Sequence, residues 1–247
     1  MNIKRKLRKL LWRAGYDISR ITPTSHPLAR RKRLLEHYSI DTVLDVGANR
    51  GQFAQELRND LGYKRRIVSF EPLSSAFELL KASAEGVQGW EIFNIALGDS
   101  DETQEINIAG NSYSSSLLDM LPSHVESAPE SKYIGSEMIE VKCLDSIFDD
   151  LCKPTNKIYM KIDTQGFESQ VLKGAEKSLA RIDTIQMEMS LVPLYEGQLL
   201  FNEMCMLMSE KGYSLVAIET GFSDPDSGQL LQVDGIFHRF PASLQES

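Results

Sequence analysis

The sequence predicts an α/β fold with one open, mostly parallel β-sheet and an antiparallel hairpin at its edge. Short apolar runs rich in β-branched residues alternate with segments whose apolar residues recur at helical spacing. This alternation is typical of βαβ units, in which helices cover both faces of a parallel sheet. The last two apolar runs are separated only by a loop rich in Gly, Asp, Pro and Ser, residues 221–228, which indicates a hairpin.

The first half of the chain supplies three of the predicted strands. The strands are predicted at 42–46, followed by Gly47, at 67–70 and at 90–96. Between the first two lies a helix with one face at Phe53, Leu57 and Leu61, and between the last two lies a helix that begins with a capping box at 75–78. Residues 98–140 then break the alternation, because short strand-like pieces flank a Ser-rich tract. We expect this segment to be an insertion or cap over one end of the sheet.

The second half returns to the regular alternation. Its elements are a strand at 157–162, a helix bearing Val171, Leu172, Ala175 and Leu179, a strand at 184–189, a helix with Phe201, Met204, Leu207 and Met208, and strands at 213–219 and 233–239. Seven strands of one sheet therefore follow from the pattern. The domain that they form is predicted to occupy residues 39–247.

The composition agrees with a globular protein. The 247 residues are 42% hydrophobic and 25% charged, and no apolar run approaches the roughly 18 residues of a membrane-spanning helix. No apolar segment follows the basic start as in a secretory signal. The three cysteines, Cys143, Cys152 and Cys205, are too few for a disulfide framework and lack metal-ligand spacing. We therefore expect a cytoplasmic protein with reduced thiols and predict no metal ligands.

The charge is distributed unevenly along the chain. Residues 1–33 hold 11 Lys/Arg and one acid, whereas residues 34–247 hold 16 Lys/Arg and 34 acids, so +10 and −18 combine to −8. The acidic part argues against a nucleic-acid partner, because phosphate binding needs a basic surface. We predict a basic helical extension and linker at 1–38, whose apolar residues Ile3, Leu7, Leu10, Leu11 and Ala14 have helical spacing. Such a helix packs on the domain, docks on a partner or lies peripherally on an anionic membrane.

The loop after the first strand indicates a nucleotide-like cofactor. Ligands of open α/β sheets bind at the carboxyl ends of the strands. Gly47 and Gly51 allow a tight turn here and let backbone N–H groups approach a ligand, with a helix N-terminus behind them. Glu71 ends the second strand 20 residues after Gly51, where a carboxylate accepts the hydroxyls of an adenosine ribose.

The residues within this loop favour S-adenosyl-L-methionine (SAM) over a dinucleotide. The dinucleotide fingerprint Gly-x-Gly-x-x-Gly needs glycine at the position of Asn49. The negative charge of Asp45 would repel a pyrophosphate and suits a cationic amino-acid end. Two alternatives stay open, a nicotinamide-dependent oxidoreductase and a non-catalytic nucleotide-binding protein on a similar sheet.

Four stretches of the chain resemble the FkbM family of SAM-dependent methyltransferases. They are VLDVGANRGQF at 43–53, SFEP at 69–72, NIALGD at 94–99, and KIDTQGFE at 161–168 followed by VLKGA at 171–175. The resemblance extends from about residue 40 to the final strand and leaves out the basic start of the chain. It implies a seven-stranded Rossmann-like fold and methylation of a hydroxyl on a sugar, glycan or secondary metabolite.

The resemblance also implies roles for individual residues. The residues implied to hold the methionine end of SAM are Asp45, Gly47, Asn49 and Gly51, with Glu71 on the ribose and Asn94, Ala96 and Leu97 near the adenine. Asp163 is implied to face the acceptor. The family usually has an acid where this chain has Gln165, so a carboxylate pair at that turn is not expected.

A hydroxyl acceptor must lose its proton, so a general base is expected close to it. Asp163 is the first candidate, because it ends a central strand at the ligand-binding edge. Glu188, near the end of the next strand, is the second. The alternatives are a helix-capping role for Asp163 and a buried structural role for Glu188.

Overall fold

The computed structural model describes residues 3–17 and 20–241. The chain forms two compact units, Met1–His37 and Tyr38–Ser247. The first unit contains helices α1 (Ile3–Arg13) and α2 (Pro27–His37). Within the described ranges, no helix combines the length and apolar character that crossing a bilayer requires.

The second unit contains ten strands and six helices among its described residues. The strands are β1 (Thr42–Val46), β2 (Arg66–Phe70), β3 (Trp90–Phe93), β4 (Ala96–Leu97), β5 (Glu102–Ala109), β6 (Tyr133–Lys142), β7 (Ile158–Ile162), β8 (Thr184–Ser190), β9 (Ser214–Thr220) and β10 (Gln232–His238). The helices are α3 (Gln52–Asn59), α4 (Ser74–Ala84), α5 (Pro122–Ser127), α6 (Leu144–Leu151), α7 (Glu168–Lys173) and α8 (Phe201–Glu210).

Seven strands form the main sheet in the order β3-β2-β1-β7-β8-β10-β9. All neighbouring pairs are parallel except those of β10, which runs antiparallel to both β8 and β9. The α/β fold with a mostly parallel sheet and an antiparallel edge hairpin is thus confirmed. All five residues of β1 are buried, as expected for a central strand with helices on both faces.

A three-stranded sheet of order β4-β6-β5 occupies much of the segment expected to be irregular. Strands β5 and β6 pair antiparallel from Glu102 opposite Val141 to Ala109 opposite Tyr133. The expected strand at 90–96 is wrong in its extent. It ends at Phe93, and the chain changes sheets at Ala96, where β4 pairs with β6.

Two helix predictions are wrong in detail because tertiary contacts decide the helix ends. The helix predicted to reach Leu179 stops at Lys173, and a separate 3-10 turn follows at Ser178–Arg181. The carboxylate of Asp145 accepts the backbone N–H groups of Lys177 and Ser178 at 2.9 and 2.8 Å and so caps this second turn.

The capping box predicted at 75–78 does not form. Helix α4 begins at Ser74 and has no side-chain cap from its own N-cap residue, Leu73. The Ser74 hydroxyl instead donates to the carboxylate of Glu137 on β6. A strand distant in sequence therefore stabilises the start of this helix.

Candidate functional site

A cavity opens where the order of strands in the main sheet reverses. Strand β1 lies between β2 and β7. After β1 the chain adds β2 and β3 on one side of it, and the later strands, starting with β7, are added on the other side. In open α/β sheets the carboxyl ends of these strands form the ligand crevice. The cavity has a volume of about 260 Å³, a size suited to a small molecule.

The cavity brings together seven of the ten residues predicted for the site. The seven that line it are Gly47, Asn49, Glu71, Ala96, Leu97, Asp163 and Glu188. Asp45, Gly51 and Asn94 do not line it. Asn94 lies behind Glu71 and donates its side-chain amide to the carbonyls of Glu71 and Pro72, both at 2.9 Å, which stabilises the turn after β2.

Residues 47–51 use their backbone N–H groups within the protein. Gly47 and Ala48 donate to the carbonyl of Phe70 at 3.1 and 2.9 Å, Asn49 to Glu71 Oε2 at 2.7 Å, Arg50 to Gln52 Oε1 at 2.9 Å, and Gly51 to the carbonyl of Ala48 at 2.8 Å. These five groups are therefore not free donors for a phosphate or carboxylate. The expectation that they approach a ligand as donors stays a prediction, and in this structure all five donate within the protein.

Both loop glycines are needed for packing within the protein. Gly47 has φ of +77°, and a Cβ there would lie 1.9 Å from the carbonyl oxygen of Asp163. Gly51 has φ of +83°, and a Cβ there would lie 2.8 Å from the ring of Trp90. The glycines thus let the ends of β1 and β7 approach and let α3 begin against β3.

Glu71 presents a buried carboxylate to the cavity. Its side chain is 4% exposed, and Oε2 accepts the N–H of Asn49 while Oε1 accepts the N–H of Leu73 at 2.9 Å. Burial raises the pKa of Glu71 to about 7, although these two hydrogen bonds oppose the shift. Each carboxylate oxygen offers about two lone-pair sites, so each retains one for a further donor.

Asn49 connects the glycine loop to the segment above it. Its φ of +48° is left-handed, a conformation that asparagine tolerates. Nδ2 donates to the carbonyl and hydroxyl oxygens of Ser112 at 3.3 and 3.4 Å. In the part of the chain that the structure describes, the buried Oδ1 atom accepts no hydrogen bond. Asn49 therefore offers an unused acceptor beside the cavity.

Strand register places Lys161 between two carboxylates. Asp45 of β1 lies opposite Lys161 of β7, and the Lys161 ammonium forms an ion pair with Asp163 at 2.9 Å. Burial raises the pKa of Asp45 to about 6, against the attraction of Lys161. Burial would also raise the pKa of Asp163, but the charge and hydrogen bond of Lys161, together with Gln165, hold it below its usual value. Asp163 is therefore ionised at neutral pH.

Gln165 lies between the two candidate bases. Its Nε2 atom donates to Asp163 Oδ1 at 2.8 Å and to Glu188 Oε2 at 2.7 Å. Its Oε1 atom accepts the hydroxyl of Tyr195 at 2.8 Å. With φ of +54° the residue adopts a left-handed conformation, which costs energy for a non-glycine residue and is common at functional sites.

Glu188 has the opposite electrostatic surroundings to Asp163. Its Oε2 atom also accepts Gln232 Nε2 at 2.7 Å. Burial, followed by the negative charges of Asp163 and Asp234, raises the pKa of Glu188 well above its usual value. Neighbouring carboxyl groups with divergent pKa values are typical of acid–base sites.

The Ser-rich tract covers the cavity and is hydrogen-bonded at three points. Ser112 accepts from Asn49 as described, the carbonyl of Ser114 accepts the Tyr195 hydroxyl at 3.3 Å, and the Ser116 hydroxyl donates to the carbonyl of Gln165 at 2.7 Å. The cavity-lining members of the tract are Ser112, Tyr113, Ser115 and Ser116.

Sequence reasoning missed Lys161 and Tyr195 as members of the site. Lys161 gave a usable signal, since a cation within an otherwise apolar central strand requires a buried partner. Tyr195 gave none, because it lies in a loop after β8 and reaches Gln165 only through the fold.

Several solved structures are similar to this chain at low sequence identity. An FkbM methyltransferase from Methylobacillus flagellatus KT is 13% identical with a TM-score of 0.44, and the match covers 79% of this chain and 43% of that one. An rRNA methylase from Streptococcus thermophilus is 8% identical with a TM-score of 0.48, covering 90% and 100%. A precorrin-6y C5,15-methyltransferase from Geobacter metallireducens GS-15 is 9% identical with a TM-score of 0.42, covering 90% and 93%. This chain thus spans less than half the length of the first of these proteins.

No curated protein sequence matches this chain significantly. A family model described as the methyltransferase FkbM domain matches residues 45–215, more than half of the chain. The matched span contains the glycine loop, Glu71, Asp163, Gln165 and Glu188, so the resemblance drawn from the four sequence stretches is confirmed. The chain belongs to the FkbM methyltransferase family.

Proposed function

We propose that the protein transfers a methyl group from SAM to a hydroxyl of a small molecule, sugar or glycan. The observation that supports this most is the carboxylate of Glu71. It faces the cavity at the end of β2, and two backbone N–H groups orient it. The unused acceptor sites on its two oxygens suit the two hydroxyls of a ribose.

The remaining surroundings fit the other parts of SAM. Apolar residues after β3 and in β4, namely Ile95, Ala96 and Leu97, line the cavity and suit the flat adenine. Asn49 Oδ1, a buried acceptor, suits the ammonium of the methionine end. SAM supplies a methyl group on a positively charged sulfur, which is a good leaving group.

Electrostatics support a cationic donor over a dinucleotide. Asp163, whose carboxylate is ionised at neutral pH, lines the cavity together with Glu71, whose pKa is about 7. Nearby carboxylates attract a sulfonium and repel a diphosphate, most strongly where water is excluded. The five loop N–H groups that would bind a diphosphate already donate within the protein.

In this proposal Glu188 accepts the hydroxyl proton and Asp163 orients the hydroxyl. A base is most effective when its pKa lies near the working pH. The pKa of Glu188 is raised and that of Asp163 is lowered, so the order of preference drawn from the sequence is reversed. Gln165 holds both carboxylates in place through its amide.

The hydroxyl-bearing cap supports a neutral, polyhydroxylated acceptor. Ser112, Tyr113, Ser115 and Ser116 line the same cavity as the carboxylates, and such groups both donate to and accept from sugar hydroxyls. An anionic acceptor would meet the repulsion described above. A cytoplasmic location is part of the same proposal, since three free cysteines suit a reducing compartment.

Calorimetric titration of the full chain with SAM, S-adenosylhomocysteine and NAD⁺ tests the donor. Saturable binding of SAM and its demethylated product, without binding of NAD⁺, supports the proposal. Binding of NAD⁺ without SAM would replace it with an oxidoreductase. Incubation with methyl-labelled SAM and candidate sugars or glycans then tests the acceptor, and labelling confined to RNA or protein would contradict it.

A further inference from the structure

Helix α1 carries an apolar stripe that is exposed. At 3.6 residues per turn, Leu7, Leu10, Leu11 and Ala14 fall within an arc of about 100°. Leu7 is 54% exposed and Leu10 is 65% exposed. Exposed leucines on one face of a short helix are costly in water, so they indicate an interaction surface.

The rest of the helix surface carries mainly cations, with Trp12 exposed among them. The cations whose side chains the structure describes are Arg5, Lys6, Arg8, Lys9 and Arg13, and the helix contains no acidic residue. Arg8 pairs at 2.9 Å with Asp17, but both side chains are about half exposed or more, so this pair offsets little of the charge.

The local geometry defines where the helix ends. Gly15 has φ of +84°. Its N–H donates to the carbonyl of Trp12 at 3.1 Å, and the N–H of Tyr16 donates to the carbonyl of Leu11 at 2.9 Å. This is the Schellman arrangement that terminates a helix. The 11 residues of α1 extend about 16 Å, which suits a helix lying on a bilayer surface.

We propose that α1 binds the protein to an anionic membrane surface. The leucine stripe inserts between lipid headgroups while the flanking cations contact anionic headgroups. The net charge of −18 on residues 34–247 repels such a surface, so the attraction must come from the basic N-terminal segment. Nucleic-acid binding would use the cations but not the leucines, and it is therefore the less suitable partner.

Flotation of the full chain with lipid vesicles tests this proposal. We expect binding to phosphatidylcholine vesicles that contain phosphatidylglycerol, and at least roughly tenfold weaker partitioning onto pure phosphatidylcholine. Binding should fall as salt is raised, because screening weakens the attraction. The double variant Leu7→Gln/Leu10→Gln should lose binding at least about tenfold, since two apolar side chains no longer insert.

A matched control is Leu79→Gln/Met206→Gln, which changes two apolar side chains, 48% and 65% exposed, on α4 and α8. It should bind vesicles like the unaltered chain. The proposal would be overturned by no vesicle binding, by equal binding to neutral vesicles, or by an equal loss of binding in the control. It would also be overturned by binding to duplex RNA that survives Leu7→Gln/Leu10→Gln. SAM titration of the same variants separates this result from the proposed activity, which does not depend on α1.

Discussion

The side-chain amide of Gln165 lies 2.7 Å from the carboxylate of Glu188. The same nitrogen lies 2.8 Å from Asp163, so its two hydrogens are shared between two carboxylates of different pKa. A neutral amide here joins the two carboxyl groups without adding a charge of its own. The acid–base properties proposed for the site therefore depend on a residue that carries no charge.

Gln165→Glu should move the pH dependence of methyl transfer to higher pH. A third carboxyl beside Asp163 and Glu188 raises the pKa values of both, because like charges disfavour ionisation. The rate profile against pH measures the shift, with Gln229→Glu, an exposed position, as control. Superimposable profiles for Gln165→Glu and the unaltered protein would contradict the bridging role.

Glu188→Gln should abolish turnover and leave SAM affinity nearly unchanged. Only the deprotonated form of Glu188 can accept the hydroxyl proton. Because the pKa of Glu188 is raised, the rate of the unaltered protein should rise with pH above the usual carboxyl range. Rates across pH and calorimetry check both points, with the exposed Glu196→Gln as control. A rising limb that persists in Glu188→Gln would show that Glu188 is not the general base.

Asp163→Asn should also reduce turnover while SAM affinity stays near normal. The change removes the ion pair with Lys161 at 2.9 Å and the charge that orients the hydroxyl. Single-turnover rates and calorimetric affinity measured on one preparation distinguish the two effects. If turnover survives, Asp163 contributes only to local structure.

Glu71→Ala should weaken SAM binding by about 1–3 kcal/mol, the cost of leaving buried hydrogen-bonding groups unpaired. The N–H groups of Asn49 and Leu73 lose their acceptor at the same time. Calorimetry measures the change, and Glu78→Ala, whose side chain is exposed on α4, is the control. Unchanged affinity in Glu71→Ala would show that the ribose does not bind there.

Glu168→Gln should remove part of the pH dependence of stability. Burial raises the pKa of Glu168 to about 7, so the folded protein binds a proton that the unfolded chain releases near pH 4.5. This stabilisation is complete below that pH and is lost as the pH rises through about 7. Glutamine keeps an acceptor for the N–H groups of Thr164 and Gly166.

As the pH rises from about 5 to about 8, the unfolding free energy of the unaltered protein should therefore fall by up to about 3 kcal/mol relative to that of Glu168→Gln. Urea unfolding at both pH values measures the difference. Parallel changes in the two proteins would show that Glu168 does not titrate in this range.

The sequence by itself determined the strands, their alternation with helices and the edge hairpin. The spacing of apolar residues and the content of β-branched residues are local properties of the sequence. A buried strand such as β1 must be apolar on both faces. The same local reading placed Glu71 and Asp163 at strand ends, where the topology of an open sheet forms its ligand crevice.

Only the tertiary structure decided how those residues are partnered. The backbone N–H groups at 47–51 donate hydrogen bonds within the protein. The Ser74 hydroxyl donates to Glu137, and the Gln165 side chain forms hydrogen bonds with Glu188 and Tyr195. Apart from the bonds of Arg50 and Gly51 within the loop, these contacts join segments far apart in sequence, and hydrogen bonding between such groups depends on positions that no local pattern specifies. Burial then sets the pKa values, because the free energy of a charge depends on everything packed around it.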